Sequence, residues 1–200
     1  IDLSLLEPIF SVLGPEAAIF AKTGIVKERI GSASNTSCPR NVYVCADGKY
    51  LALSGSTQAV AERIFRIIGR VDMIDDPRFA TNSDRIKHRD LVDAAIGGWF
   101  SARTSDDALQ IMRDAGATVG PIYSIADAYE DPHFLEREVF VDLEDADFGS
   151  LPMHNVLPRL SATPGGFYRP APELGADGKA ILGEIGLDPA RIAAALDVSQ

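Results

Sequence analysis

Residues 29–38 gather the side chains best suited to holding an anionic or carbonyl oxygen. Gly31-Ser32-Ala33-Ser34-Asn35-Thr36-Ser37 offers backbone N–H groups and hydroxyl donors to a carboxylate or carbonyl oxygen. An ordinary polar surface loop has the same composition, and both readings stay open. Arg29, just before it, carries a guanidinium able to grip a phosphate, or to pair with Glu28 or another surface acid. Cys38 closes the stretch; a nucleophilic thiol needs a basic partner, none is adjacent, and an inert thiol is expected. His133 in Asp131-Pro132-His133-Phe134 has the side chain of a general base, but its position is that of a helix-start residue that caps or packs. His88, His133 and His154 show no ligand spacing with Cys38 or Cys45, and no metal site is expected. The acids Asp142, Glu144, Asp145 and Asp147 sit where a hairpin turns, so a solvated turn is expected there.

The elements that must position these groups follow from periodicity and punctuation. Residues 1–24 read as a helix with Leu5, Leu6, Ile9, Phe10 and Leu13 apolar, continuing past Gly14-Pro15. After the polar loop, Asn41–Cys45 and Lys49–Leu53 read as strands joined tightly at Asp47-Gly48. Gln58–Gly69 is a predicted helix with Val60, Ile64, Ile67 and Ile68 on one face. Arg85–Phe100 is a second, burying Leu91, Ala95 and Trp99. Thr104 or Ser105 caps a third, closed by Gly116, and Ser124 with Asp127 forms a capping pair for a short fourth. Val139–Leu143 and Met153–Leu160 read as strands around Asp147-Phe148-Gly149. Pro164, Pro170 and Pro172 make the next stretch an extended arm, followed by helices over Lys179–Gly186 and from Asp188-Pro189 through Leu196.

The layout is α+β, with a short antiparallel sheet and flanking helices. Three segments are expected: a linker helix over 1–24, a small α+β domain over 25–160, and an arm with helices over 161–200. A hydrophobic content of 46% supports a buried core, and a charged fraction of 24% argues against disorder. Nineteen basic against 29 acidic residues give a net charge of −10, which repels nucleic acid and anionic membrane surfaces. No apolar run is long enough to span a bilayer. Two cysteines without further partners point to reduced thiols in the cytoplasm. The chain opens on Ile1-Asp2-Leu3-Ser4, without a Met or a basic leader, and reads as part of a larger protein.

Several strings, in order, resemble CoA-transferase family III, the CaiB/BaiF proteins. They are IDLSLLE at 1–7, Arg29-Ile30-Gly31-Ser32 followed by ADGKYLAL, DPRFATNSDRIKHRDLV at 76–92, AGATVGPIYSIADAYEDPHFLEREVFVDLE at 115–144, and LPRLSATPG with RPAPELG near the end. The resemblance implies a small domain whose partner, a Rossmann-like large domain, lies mostly outside this chain. It implies a homodimer of interlocked rings, with acyl-CoA and a carboxylic acid as substrates and no permanently bound cofactor. The catalytic aspartate, which forms covalent acyl and CoA-linked intermediates, is then expected upstream of Ile1, with no catalytic residue in the chain itself. Gly31, Ser32, Ala33, Ser34 and Asn35 become the expected substrate-side wall, and Arg29 a contact to the CoA phosphates. An acyl-CoA racemase of the same fold and a non-catalytic interaction half are the alternatives. Two departures stand out: Gly31 is the loop's lone glycine, and Gly175-Ala176-Asp177-Gly178 replaces the frequent G-E-H-T.

Overall fold

Alternating apolar residues on either side of Asp47-Gly48 dictate a hairpin, and the computed structural model, which describes residues 2–196, contains it. Strands β1 (Arg40–Val44) and β2 (Tyr50–Ser54) pair antiparallel, with Val44 opposite Tyr50. The connection is longer than the two-residue turn expected. Cys45 N donates to Lys49 O at 2.8 Å, and Gly48 takes φ +78°, so the corner closes as a three-residue loop with glycine in the left-handed region. Strand β3 (Thr118–Pro121) adds antiparallel to β2, giving the order β1-β2-β3. That third strand is absent from the sequence reading.

The chain divides into two compact units, Ile1–Ile122 and Tyr123–Gln200, and the division falls inside the 25–160 stretch. In the first unit, the expected continuous N-terminal helix is instead two short ones, α1 (Glu7–Ser11) and α2 (Glu16–Thr23), broken where Gly14 turns to φ +64°. Neither buries a residue. The core forms later in the unit. One face of the sheet, carrying Tyr43, Leu51 and Leu53, packs into a cluster with Ile64 and Phe65 of α3 (Gln58–Ile67). After α4 (Asp72–Asp75), the helix expected from Arg85 is split at His88 into α5 (Asn82–Lys87) and α6 (Arg89–Ser101). Helix α6 buries Val92, Ile96, Trp99 and Phe100, whereas Leu91 is 48% exposed, so its apolar face is turned one residue from the expected one. The Phe100 ring stacks on Tyr43 at 5.3 Å and meets Trp99 edge-on at 5.2 Å. Helix α7 (Ser105–Asp114) starts on a Thr104 cap, as expected. Ser105 is tied to the hairpin corner: its N–H and hydroxyl donate to Asp47 Oδ2 at 3.0 and 2.7 Å.

The second unit opens with the expected capping box, Ser124 with Asp127, on α8 (Ile125–Glu130). Asp131 caps α9 (Pro132–Glu136) by accepting from the N–H groups of His133 and Phe134, so His133 is the capped residue, and its side chain is exposed. Strands β4 (Phe140–Asp145) and β5 (Gly149–His154) form a hairpin, with β5 earlier than the expected Met153–Leu160. At its corner Asp145 Oδ1 accepts from the N–H groups of Asp147 and Phe148, which makes the acidic cluster a turn. After the arm come α10 (Gly178–Glu184) and α11 (Pro189–Leu196), the latter capped by Asp188. Asp177, at the departure from G-E-H-T, is held by a two-pronged ion pair with Arg169 at 2.5 and 2.6 Å. No helix among the described residues is long and apolar enough to cross a membrane.

Candidate functional site

The polar loop is short of backbone hydrogen bonds of its own and depends on side chains reaching in from α5 and α6. Asn82, the first residue of α5, brackets it: Nδ2 donates to Thr36 O at 3.0 Å while Oδ1 accepts from Cys38 N at 3.1 Å. Arg89 at the start of α6 donates to Ser34 O. Below the loop lies the fully buried Arg85, donating to Cys38 O at 2.7 Å, Phe79 O at 3.0 Å and Gln58 Oε1 at 2.7 Å. Burial pulls the Arg85 guanidinium down from its ordinary value, against the opposing pull of Glu62 and Asp84. The DPRF segment and Arg85 thus share one job. Asp76 clamps Arg78 at the segment's start, and Arg85 ties Phe79 at its end to the loop.

Behind the loop is a chain of polar contacts that fixes which atoms face outward. Asp93 of α6 accepts from Tyr43 Oη at 2.6 Å and from Asn41 Nδ2 at 2.9 Å. With its amide nitrogen committed to a carboxylate, Asn41 must turn Oδ1 the other way, where it accepts from Ser32 Oγ at 2.6 Å and Val42 N at 2.9 Å. Ser32 therefore spends its only hydroxyl hydrogen on Asn41, and its oxygen can only accept from any further partner. Ser34 and Thr36 hydroxyls pair with each other at 3.1 Å, which leaves one hydrogen between them. Gly31 takes φ +65°, a turn that a side chain would strain.

Beside the loop, the outer face of the sheet forms a cleft of about 440 Å3. Ser32 and Asn41 stand at one side, Arg40 and Val42 on β1, Ala52 and Ser54 on β2, and Thr118 and Gly120 on β3. Of the predicted wall, Ser32 borders this cleft; Gly31, Ala33, Ser34 and Asn35 are not among its lining, nor is Arg29. Arg29 is exposed and makes no hydrogen bond or ion pair among the described residues. Arg40, Thr118 and Asp93 were not singled out from sequence. Their one signal was Asp93 four residues after Arg89, a polar stripe on a helix otherwise packed by Val92 and Ile96.

Chemically the cleft can bind but has no nucleophile of its own. None of its ten lining residues is Asp, Glu, His or Cys, and neither serine has a base beside it. Cys38 is buried, its thiol pushed up to about 11 chiefly by burial and further by Asp93, so it stays neutral near pH 7. Burial, and then the bond to Asp93, raise the Tyr43 phenol well above its ordinary value. Among the described residues no group of His, Cys, Asp and Glu could hold a metal ion.

The short antiparallel sheets with flanking helices match the fold of a CaiB/BaiF family protein. The chain belongs to CoA-transferase family III, whose profile matches residues 1–178. It is 31% identical over 185 residues to succinyl-CoA–D-citramalate CoA-transferase of Chloroflexus aurantiacus, covering 92% of this chain and 46% of that protein. It is also 31% identical over 175 residues to the alpha subunit of succinyl-CoA–L-malate CoA-transferase from Chloroflexus aurantiacus, covering 88% of this chain and 41% of the relative. A crystal structure of a CaiB/BaiF family protein from Brucella suis superimposes with a TM-score of 0.72 at 26% identity, covering 92% of this chain and 47% of that one. The chain spans about half the length of the relatives it matches.

Proposed function

We propose that this chain supplies the small domain and part of the substrate cleft of an acyl-CoA:carboxylate CoA-transferase, with the catalytic carboxylate coming from sequence outside these 200 residues. The match of the family profile across residues 1–178 carries the reading. The cleft supports the division of labour: it offers donors and apolar wall, but nothing able to form a covalent acyl or CoA-linked intermediate. In this reading acyl-CoA and a carboxylic acid are the substrates, and the relatives' names make succinyl-CoA the first donor to try. Residues 31–35 form the wall on the acyl side, Arg29 reaches the CoA phosphates, and the whole protein works as a homodimer.

Mass-spectrometric assay of CoA transfer from succinyl-CoA to L-malate or D-citramalate tests it. Transfer is expected from the protein carrying this chain together with its large domain, and none from residues 1–200 alone. Transfer by the 200 residues alone would overturn the division. Exchange of the acyl α-hydrogen with deuterated water, without any acceptor acid, would replace transfer with racemisation.

A further inference from the structure

Among the described residues, Arg40 is the one charged residue lining the cleft. It begins β1, it is exposed, and its side chain makes no hydrogen bond or ion pair among the described residues. Arg29 is likewise exposed and unpaired; what sets Arg40 apart is the cleft it borders. Arg78 and Arg70, by contrast, each close a two-pronged pair with a nearby aspartate. The cleft that Arg40 borders excludes acids: all ten lining residues are neutral except Arg40 itself.

The other polar groups there have fixed senses. Thr118, without a partner among the described residues, has its hydroxyl hydrogen to give. Ser32 has already given its hydrogen to Asn41, whose orientation is locked by Asp93, so Ser32 presents an acceptor. The floor is kept low by Ala52 and Gly120, which face each other across β2 and β3. A low floor suits a short ligand, and a volume of about 440 Å3 lies toward the small end of ligand sites.

From this we infer that the cleft takes the free end of a short hydroxy-dicarboxylate, with the Arg40 guanidinium gripping its carboxylate and Ser32 Oγ accepting from its hydroxyl. A guanidinium presents parallel N–H donors that match the planar carboxylate, and a hydroxyl is the ligand group able to donate to an oxygen that only accepts. The inference rests on the transferase reading for the class of ligand, and it assigns Arg40 and Ser32 as specificity-determining residues.

Calorimetric titration of the protein with L-malate, succinate, butyrate and inorganic phosphate tests it, with Arg40→Gln and Ser32→Ala beside the unchanged protein. Malate should bind more tightly than succinate, and succinate more tightly than butyrate. Arg40→Gln should weaken malate and succinate at least tenfold. Ser32→Ala should bring malate down to the level of succinate and leave succinate unmoved. Equal succinate binding with and without Arg40, or an unchanged malate preference in Ser32→Ala, would overturn the assignment. So would phosphate competing as well as succinate, since that marks a phosphate subsite. Transfer assays on the same samples keep the two claims apart. Arg40-dependent binding without any CoA transfer sinks the transferase reading alone, and transfer with an unchanged KM for malate in Arg40→Gln sinks the cleft assignment alone.

Discussion

Asp93 holds the back of the candidate site together, and removing its carboxylate should have a cost that can be worked from its two contacts. Tyr43 is 6% exposed, and its hydroxyl donates to Asp93 at 2.6 Å. A hydrogen bond to a charged group contributes about 1.5–3 kcal/mol. The half-buried bond from Asn41, at 2.9 Å, adds about 0.5–1.5 kcal/mol. Asp93→Ala should therefore destabilise the first unit by about 2–4.5 kcal/mol, lowering its melting temperature by roughly 4–18 °C. Trp99 is the chain's single tryptophan and packs in the same cluster as Tyr43, so its fluorescence in urea follows this unit. Tyr43→Phe separates the hydrogen bond from general damage. In the unchanged background it should cost about 1.5–3 kcal/mol, but after Asp93→Ala the hydroxyl has already lost its acceptor and the further cost should fall below about 1 kcal/mol. Costs that add within about 0.5 kcal/mol would refute the coupling, and with it the argument that Asp93 fixes Asn41 and Ser32.

Three further outcomes follow from the same geometry. Arg85→Ala leaves the buried carbonyls of Cys38 and Phe79 without a donor, at about 1–3 kcal/mol each, and relief of a desolvated cation returns only part of this; urea titration should show a net loss above about 2 kcal/mol. The two bonds from Ser105 hold the Asp47 carboxyl below its ordinary range. Its contribution is present above that range and is lost as pH falls through the depressed folded-state value, so Asp47→Asn should flatten acid unfolding below about pH 4, read by Trp99 fluorescence. Cys38 and Cys45 are 1% and 4% exposed, with thiols raised by burial. Iodoacetamide at pH 8 should therefore modify them only as fast as the protein opens, and rapid native labelling of Cys38 would contradict the pinned loop.

Local chemistry made much of the fold legible. The Thr104 cap, the Ser124–Asp127 box and the Asp188-Pro189 start are each set by residues within three positions of one another, and all three appear in the structure. What failed was decided at longer range. Strand β3 is four residues whose only reason to extend is the exposed edge of β2, some sixty residues earlier in the chain. Helix α6 turned Val92 and Ile96 inward and left Leu91 exposed, with Ala95 and Trp99 against the core as expected, because burial on a helix is decided by what packs against it. The site divides the same way. The polar loop could be singled out by composition, and the family resemblance gave it a role. Arg40 looked like any strand-start arginine until the cleft around it proved to hold no acid, and the sense of the Ser32 hydroxyl depends on Asp93, some sixty residues away.

On the transferase reading, this chain shapes a site whose covalent chemistry is done elsewhere in the protein. Trapping answers it most directly: the full protein is incubated with succinyl-CoA, quenched with hydroxylamine or borohydride, and mapped by peptide mass spectrometry. One modified aspartate is expected outside the 200 residues, and no modification within them. A modified residue inside this chain, at the cleft or at Cys38, would contradict it.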